Sequence, residues 1–436
     1  MPAPFSALRY LVWVRQEGDN ILLAESREDF MRDVELFGQA LGLMEPWYVK
    51  GVDFKPDLGR VLIFIDFHRG GEFVCPGCGG QGRKGYDTED RRWRHLNFFQ
   101  HEAHIEARVP RINCPKCGIR TVPVPWSRAG SGFTLLFEAF VMAMAPHMAV
   151  SRIARITGEH DGRIWRLIHD YVDRARSRED YSSLRRIGID EKSSRRGHDY
   201  ITVVADMDKS KVVHVAEDRK SASVLSFAHE LEAKGGDCGD IEEVSCDMSQ
   251  AYLSGVAEAF PNARVTLDKF HVMRIVNEAV DEVRRMERAQ RAELSGSRMI
   301  WLKGADKLNK SERETLDRLS GKQLKTGRAY RMKLLFGEMY EKASIVEAED
   351  HLRKWLSWAS RSRLSPMIRA SDTIRKHLDG VLRWHISRLT NAVLEGINGM
   401  IQMAKARARG YRSKRNLIAM VYLLAGKLDF TVTHTK

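Results

Sequence analysis

Alternating apolar and polar residues occur in two stretches of the first third of the chain. The run RVLIFIDF, which starts at Arg60, and residues 104–109 both repeat with a period of two, which predicts β-strands. Residues 123–132 are rich in proline, glycine and serine and predict a linker. Helical periodicity follows to about residue 178, whereas residues 1–30 show no pattern that predicts an element. We therefore expect a β-rich domain followed by helices, after an unassigned N-terminal extension.

The pattern changes again from about residue 184. Strands are predicted in RRIGID, DYITVVAD and VVHVAE, and then helices over residues 222–233 and 251–260 alternate with strands in IEEVSCD and ARVTLD. Three consecutive strands followed by alternating helices and strands are the order of an RNase H-like mixed sheet. Residues from about 275 to 389 have helical periodicity and contain four tryptophans, so they are expected to form an α-helical insertion.

Length and charge add two constraints. A chain of 436 residues exceeds one ordinary hydrophobic core, so several domains are expected. The 71 Lys and Arg residues outnumber the 58 Asp and Glu residues, and the net charge of +13 favours a polyanionic partner, although a solvated basic surface has the same composition. The start lacks a secretory signal, and the most apolar stretch, residues 134–150, is too short and too interrupted for a membrane span. A cytoplasmic protein without membrane contact is expected.

Four of the six cysteines form two CxxC pairs, Cys75 with Cys78 and Cys114 with Cys117. Two thiolates separated by two residues can bind one ion, and four thiolates close a tetrahedron, which indicates one structural Zn²⁺. A glycine follows each pair and suits the left-handed turn that directs backbone N–H groups at the sulfurs. A redox dithiol is the alternative interpretation.

Residues 150–172 have the pattern of a helix-turn-helix. Gly158 suits the turn between two short amphipathic helices, and Asp161 is expected to cap the second helix. Arg163 and Arg166 lie opposite the apolar stripe of this helix, near the N-terminal end that recognition helices direct at base edges. An ordinary helical hairpin has the same pattern, but the position between a zinc ribbon and a nuclease-like domain favours DNA binding.

Asp190 and Asp247 are expected to end the first and fourth strands of the predicted sheet. These strands are neighbours in the RNase H-like topology, so both carboxylates would reach one edge, whereas strand alternation sends Glu191 to the opposite face. Glu395 is the best candidate for a third carboxylate, at the start of a helix that would dock on the sheet. The apolar face of that helix is expected to consist of Val393, Ile397, Ile401 and Ala404.

Three carboxylates are hard oxygen ligands that suit two Mg²⁺ or Mn²⁺ ions, which can support phosphodiester cleavage and strand transfer. For any single strand-end aspartate, capping a turn is the alternative role. Asp268 and His271 follow the fifth strand and are candidate accessory residues. A basic run after Glu395 is expected to clamp the DNA backbone, with a merely solvated face as the alternative. Its members are Lys405, Arg407, Arg409, Arg412, Lys414 and Arg415.

Several stretches together resemble the transposases of the ISL3 insertion-sequence family. They are PWYVKGVDF, the two cysteine pairs, RRWRHLNFFQHEAHIEARVPR, GIDEKSSRRGHDY, DMSQAY, LDKFHV and LEGINGMIQMAKARARGYR. The resemblance begins at about residue 40 and implies cut-and-paste DNA transposition by Asp-Asp-Glu chemistry, carried here by Asp190, Asp247 and Glu395. Lys192 and Ala392 depart from the family pattern, in which threonine and glycine are expected.

We therefore expect a multidomain α+β DNA transposase that binds double-stranded DNA, both terminal inverted repeats and target, as a homodimer or higher oligomer associated with the nucleoid. The expected domains are an extension (residues 1–30), a zinc-ribbon domain (31–128), a helix-turn-helix domain (129–180) and an RNase H-like catalytic domain (181–436) with its α-helical insertion at about 275–389. Two alternatives are a DNA-binding regulator without catalysis and an RNase H-like nuclease that only hydrolyses DNA. The three acids and the basic run argue against the first, and the insertion and separate end-binding modules argue against the second.

Overall fold

The computed structural model describes residues 31–195, 199–218, 220–320, 323–387 and 392–430. The chain divides into two compact units, an N-terminal unit that ends at Gly132 and a C-terminal unit that begins at Phe133. The extension predicted at residues 1–30 lies outside the described residues. No helix in the described part of the chain has the length and apolar character needed to cross a membrane.

From residue 31 onward, the N-terminal unit is a mixed β-sheet with one α-helix beside it. Its strand order is β1-β2-β5-β4-β3, and β6 pairs with β5. The elements are α1 (Asp33–Ala40), β1 (Trp47–Lys55), β2 (Arg60–Phe67), β3 (Glu72–Phe73), β4 (Arg83–Arg94), β5 (Glu102–Cys114) and β6 (Gly118–Thr121).

The core of the N-terminal unit forms where β2 and β5 run parallel and bury alternate side chains, such as the paired Ile63 and Ile105. Trp126 lies in the segment predicted as a linker, and its buried ring packs edge-on against Trp47 and Trp93 at centroid distances of 5.1 and 5.5 Å. The segment is irregular, as predicted, and its end at Gly132 coincides with the boundary between the two units, while this tryptophan anchors its first part in the core of the N-terminal unit.

The C-terminal unit contains a five-stranded sheet and a large helical region. Its first elements are α2 (Leu135–Met144), α3 (Val150–Thr157), α4 (Asp161–Ser177), β7 (Arg186–Arg195), β8 (Asp199–Asp206), β9 (Lys211–Ala216), α5 (Ser221–Ala233), β10 (Glu243–Cys246), α6 (Gln250–Ala259), β11 (Arg264–Leu267) and α7 (Lys269–Arg288). The remaining helices are α8 (Arg298–Leu302), α9 (Lys310–Ser320), α10 (Lys325–Glu338), α11 (Ile345–Ser360), α12 (Ser365–Lys376), α13 (Leu378–Leu382), α14 (Trp384–Ser387), α15 (Ala392–Ala408) and α16 (Lys414–Ala425).

The sheet of the C-terminal unit has the order β11-β10-β7-β8-β9. β7, β8 and β9 form an antiparallel meander, and β10 runs parallel to both β7 and β11. These strands agree with the predicted ones except at the end of β7. The prediction ended β7 at Asp190, but the strand continues to Arg195 because its hairpin with β8 extends beyond Gly188, where the pairing with β10 stops.

Helices α7 to α14 pack around a core of their own, in which the indole rings of Trp301 and Trp355 are fully buried. This helical region returns to the sheet at α13, which covers the edge strand β11. The approach is close at Gly380, where a Cβ atom would lie 2.9 Å from Leu267 Cγ. Glycine therefore permits the helix to cover the strand edge.

Helix α4 is tied to the sheet through α5, β9 and α16. The Arg176 guanidinium donates to Glu230 Oε1 at 2.7 Å and lies 4.1 Å from the ring centroid of Tyr422. The Tyr422 hydroxyl in turn accepts a hydrogen bond of 2.9 Å from the backbone N–H of Val215. His214 Nδ1 lies 2.5 Å from Glu230 Oε2. The second helix of the predicted helix-turn-helix and the sheet thus belong to one framework.

Candidate active site and nucleic-acid interface

Strand register brings three aspartates to one edge of the C-terminal sheet. The parallel pairing of β10 with β7 aligns Ser245 with Gly188, so that Asp247 and Asp190 occupy equivalent positions two residues later. On the other side of β10, the backbone N–H of Asp268 donates to the carbonyl of Cys246 at 3.0 Å, which places Asp268 beside Asp247. The predicted proximity of the Asp190 and Asp247 strands is therefore present, and Asp268 extends the row.

The Asp190 carboxylate is contacted from two elements. Asn398 of α15 donates from Nδ2 to Asp190 Oδ2 at 2.7 Å, and Lys192 Nζ lies 3.4 Å from the same oxygen. Lys405, on the next turns of α15, donates from Nζ to the carbonyl of Ser193. Burial, together with the nearby Lys192 charge, lowers the pKa of Lys405. One ammonium group and one amide thus contact the first carboxylate, and a second ammonium group, that of Lys405, binds the same strand three residues further on.

Helix α15 docks on β7 through Leu394. A Cβ atom at Gly188 would lie 2.9 Å from Leu394 Cδ1 and 2.6 Å from Met207 Sδ, so the absence of a side chain at Gly188 allows the helix to approach. The predicted apolar face is correct for Ile397, Ile401 and Ala404 but wrong at its first position. Leu394 is buried there, whereas Val393 is only half-buried. The helix is therefore rotated slightly from the predicted orientation.

Glu395 is exposed in the first turn of α15. It precedes Asn398 by three residues, and residues three apart share a helix face with Cβ atoms about 5–6 Å apart. Because Asn398 touches Asp190, Glu395 lies on the side of α15 that faces this carboxylate. Within the described residues, however, Asp190, Asp247 and Glu395 do not form a group whose oxygens all lie within 4.8 Å of one another. The residue types suit a hard divalent cation, but their convergence on one requires side-chain movement.

Asp268 and His271 form an ion pair at the start of α7. Asp268 caps the helix by accepting from the N–H of Phe270 at 2.9 Å, and His271 Nδ1 lies 2.6 Å from its other oxygen. This contact with Asp268 raises the pKa of His271, with Asp247 contributing in the same direction. One carboxylate oxygen of Asp268 therefore accepts the capping hydrogen bond, and the other contacts His271 next to the candidate site.

Sequence reasoning did not single out Tyr252, which lies behind these acids. Its buried hydroxyl is 2.9 Å from Thr202 Oγ1. Burial raises the pKa of Tyr252, and the carboxylates of Glu191, Asp247 and Asp190 act in the same direction. Tyr252 lies only five residues after Asp247, in the first turn of α6, and this short separation in the sequence could have indicated that it lies near the acids.

The four cysteines of the N-terminal unit converge as predicted. The Sγ atoms of Cys75, Cys78, Cys114 and Cys117 all lie within 4.8 Å of one another, and those of Cys78 and Cys114 are 3.6 Å apart. Four sulfurs at about 2.3 Å from a tetrahedral zinc would be about 3.8 Å apart, so the geometry fits a structural Zn²⁺.

The cysteine loops also have the predicted backbone geometry. Gly79 and Gly118 have positive φ angles of 70° and 72°. Backbone N–H groups of Lys116 and Cys117 donate to the Cys114 sulfur and lower its pKa to about 6, which favours the thiolate that a metal requires.

The helix-turn-helix has its glycine turn and a different N-cap from the one predicted. Gly158 ends α3 with a φ of 72°. The cap of α4 is His160, whose Nδ1 accepts from the N–H of Gly162 at 3.1 Å; Asp161 is the first helical residue, so its predicted role as cap is wrong. Arg163 binds Glu159 at 2.5 Å and its guanidinium lies 4.4 Å from the Phe133 ring centroid, whereas Arg166 is exposed.

The basic run after Glu395 divides into two kinds of residue. Lys405, Arg407 and Lys414 bond to protein groups, with Arg407 donating to the carbonyl of Pro146 and Lys414 lying 2.5 Å from Asp199. The second group is exposed and has no ion pair within the described ranges. It comprises Arg409, Arg412 and Arg415.

Comparison with known proteins gives consistent matches along the chain. Residues 187–421 match a transposase family model, residues 122–172 match the helix-turn-helix domain of transposase family ISL3, and residues 71–117 match the zinc finger of the transposases of IS204, IS1001, IS1096 and IS1165. A transposase for insertion sequence element IS1557 from Mycobacterium tuberculosis is 30% identical over 91% of this chain and 96% of its own length. A transposase for insertion sequence element IS1001 from Bordetella parapertussis is 26% identical over 86% of this chain and 94% of its own length.

Proposed function

This chain belongs to the ISL3 family of transposases, and we propose that it binds the terminal inverted repeats of its own insertion sequence and catalyses metal-dependent DNA strand cleavage and strand transfer. The observation that carries the proposal is the strand register that aligns Asp190 with Asp247, together with the contact of α15 with Asp190. Glu395 on α15 would complete the set of three carboxylates.

The topology supports an RNase H-like interpretation of the sheet. A meander of three antiparallel strands is followed by two parallel strands that add on the β7 side, with helices between them. Because β7 and β10 are neighbours in this order, Asp190 on β7 and Asp247 directly after β10 are the candidate carboxylates. In this interpretation, α7 to α14 are the insertion between the fifth strand and the helix that carries Glu395.

The proposed site would hold two Mg²⁺ or Mn²⁺ ions with Asp190, Asp247 and Glu395 as ligands. Such ions activate a hydroxyl nucleophile and stabilise the leaving oxygen of a phosphodiester. Asn398 orients the Asp190 carboxylate through its 2.7 Å hydrogen bond. Lys192 adds positive charge beside that carboxylate, and Lys405, which binds the Ser193 carbonyl of the same strand, adds a second charge nearby, where the phosphate backbone of the substrate would lie. Asp268 would serve as an accessory acid and, through its contact, hold His271 at the site.

The other modules would bind DNA and hold the chain on it. One Zn²⁺ bound by the four cysteines would stabilise the N-terminal unit, and Arg163, Arg166 and the basic run would contact duplex DNA. We infer an assembly of two or more copies on the ends of the element, acting in the cytoplasm on the nucleoid. A transposase must act on two ends and a target, which one copy bound to one end does not provide.

Glu395→Gln tests the proposal because it keeps the side-chain volume and removes the charge. With a duplex that carries the end of this element and Mg²⁺, the variant should bind as the wild-type protein does, while cleavage and strand transfer fall to background. Asp190→Asn and Asp247→Asn should behave in the same way, and double variants should lose little more, since residues that act as a unit are non-additive.

Glu258→Gln is the matched control, because Glu258 is an exposed carboxylate on α6. It should cleave at the wild-type rate. Cleavage by Glu395→Gln at the same rate as Glu258→Gln would exclude Glu395 as a ligand and make Glu191 and Asp268 the next acids to test. Absence of cleavage by the wild-type protein, with binding intact, would favour a DNA-binding regulator.

A further inference from the structure

The loop between α15 and α16, residues 409–413, is docked on the helix-turn-helix of the same chain. Just before it, Arg407 Nη1 donates to the carbonyl of Pro146, which precedes α3, at 2.5 Å. In the loop, the Tyr411 ring lies edge-on to the Trp165 ring of α4, with centroids 6.1 Å apart. These contacts join two regions that are some 250 residues apart in sequence.

The contact continues on the far side of the loop, where His169 Nε2 of α4 lies 2.9 Å from Asn416 Oδ1 of α16. Tyr411 itself is half-buried, and burial raises the pKa of its phenol to about 12. Tyr411 is therefore a packing residue of this contact. The segment from Arg407 to Asn416, which includes the loop, therefore contacts the region that matches the helix-turn-helix family model at three points.

Free positive charge is present on both sides of this contact. On the loop side, Arg409 and Arg412 of the loop and Arg415 in the first turn of α16 are exposed; we call these three the loop arginines. On the helix-turn-helix side, Arg155 and Arg166 are exposed. None of these five guanidinium groups forms an ion pair with another described residue. Exposed arginines without acidic partners can neutralise phosphates at no cost in broken ion pairs.

Helix α15 connects this surface to the candidate active site. Its N-terminal part touches Asp190 through Asn398, and the ten residues from Asn398 to the helix end at Ala408 span about 15 Å at 1.5 Å per residue. That length corresponds to roughly four to five base pairs of duplex at 3.4 Å each. One rigid element therefore separates the recognition helices from the reacting phosphate.

We propose that the helix-turn-helix and the α15–α16 loop form one composite surface for duplex DNA, and that α15 acts as a spacer that fixes the distance between the recognised sequence and the cleaved phosphodiester. This inference rests on the proposed function for the identity of the cleaved bond. The recognised segment is bound next to the active site of the same protomer, within one turn of the duplex, and the loop arginines contact the backbone between the two.

Footprinting tests the composite surface without requiring cleavage. The parent protein is Glu395→Gln, bound to a duplex that carries the end of this element. Two variants of this parent are compared with it. One adds Arg166→Ala, and the other changes Arg409, Arg412 and Arg415 to Ala. Each should lose backbone protection, and the two lost segments should lie within about ten base pairs, one helical turn, of each other. Protection lost at segments further apart, or by only one of the variants, would overturn the composite surface.

Salt dependence provides a second measurement for the loop arginines. The triple variant should show a slope of log K against log salt that is shallower by about 2.7, since each phosphate contact contributes about 0.9. Arg318→Ala is the control, because Arg318 is exposed on α9 in the helical region and has no described ion partner; its slope should equal that of the parent protein. A triple variant with the slope of Arg318→Ala would remove the loop from the DNA interface.

A shift experiment with the wild-type protein tests the spacer. Two base pairs are inserted between the segment protected by Arg166 and the cleavage position, and the cleaved bond is mapped at nucleotide resolution. The proposal expects the cut to stay at a constant distance from the protected segment and so to move by two base pairs relative to the terminal sequence. A cut that stays with the terminal sequence would refute the spacer. If the unmodified end is not cleaved at all, the proposed function fails, while the footprints still decide whether the composite surface exists.

Discussion

Gly188→Ala should reduce catalysis far more than stability. The new methyl group would lie 2.6 Å from Met207 Sδ and 2.9 Å from Leu394 Cδ1, whereas carbon atoms in contact are about 3.5–4.0 Å apart. The neighbours must therefore move by about 0.6–1 Å. Both contacting atoms belong to side chains that are buried but can rotate, so we expect a loss of about 1–2 kcal/mol, the lower part of the range for overpacking.

The consequence for catalysis follows from the position of Leu394 next to Glu395. A shift of the first turn of α15 by up to about 1 Å would displace the proposed third ligand, and a misplacement of that size can reduce the rate about 10²-fold. The assay is urea unfolding of the purified protein, together with the rate of Mg²⁺-dependent cleavage of end DNA. Unchanged cleavage by a Gly188→Ala protein that is destabilised as expected would refute the claim that this contact positions Glu395.

Two further variants separate the clash from a general effect of adding a methyl group. Gly396→Ala adds the same group on the other side of α15, where no atom of the described residues outside this helix lies within 4 Å, and should stabilise the helix by up to about 1 kcal/mol. Leu394→Ala removes one of the two clashing side chains. Combined with Gly188→Ala, it should restore part of the stability lost in the single variants, so that the two changes are not additive. Simple additivity would show that Leu394 and the new methyl group do not meet.

Three more outcomes can be measured on single variants. Cys114→Ser should abolish the one zinc per chain, measured by elemental analysis, and unfold only the N-terminal unit; a full zinc content would exclude the site. Lys192→Thr removes an ion pair with Asp190, of about 1 kcal/mol, that a bound metal ion would have to displace. The Mg²⁺ concentration for half-maximal cleavage should therefore fall about fivefold. An unchanged concentration would show that Lys192 does not compete with the ion. Burial raises the pKa of Glu230, but its partners His214, Lys234 and Arg176 lower it more, so that the pKa falls to about 2. The charged carboxylate therefore stabilises the fold above pH 4.5, and this contribution to stability is lost as the pH falls towards 2. Glu230→Gln should thus cost about 3 kcal/mol at pH 7, and urea unfolding should show the difference from wild type disappearing at low pH; a difference independent of pH would assign the loss to packing.

The parts of the site that follow local periodicity could be predicted from the sequence. Alternation located the strands that carry Asp190 and Asp247, and two-residue spacing located the cysteines, because both patterns are set by neighbours in the chain. The end of β7 could not be predicted, since it depends on how far β8 pairs with it. The orientation of α15 also escaped prediction. Either Val393 or Leu394 could begin the apolar face, and the decision depends on the space above Gly188, a residue more than 200 positions away.

Surface charge was the least predictable feature. The six basic residues after Glu395 look alike in sequence, yet three of them hold the C-terminal unit together. On α4 the pairing is local, because Arg163 forms an ion pair with Glu159 four residues earlier, whereas Arg166 is exposed and has no ion pair among the described residues. The partners of the three paired residues in the basic run, Ser193, Pro146 and Asp199, lie far away in the chain, so no local pattern distinguishes the structural members of the run from those proposed to bind DNA.

The proposed catalytic carboxylates are held by interactions of unequal strength. Asp190 pairs with Val203 inside the β7–β8 hairpin, and Asp247 directly follows β10, so the positions of both are set by backbone hydrogen bonds that no single side-chain change removes. Glu395 is held by the packing of Leu394 and by the Asn398 hydrogen bond, both of which depend on individual side chains. We therefore expect substitutions that affect activity without unfolding the protein to concentrate along α15 and where it contacts β7. The same helix connects the proposed active site to the loop on the helix-turn-helix, so we expect a change in its position to alter the proposed catalytic and DNA-binding geometry together.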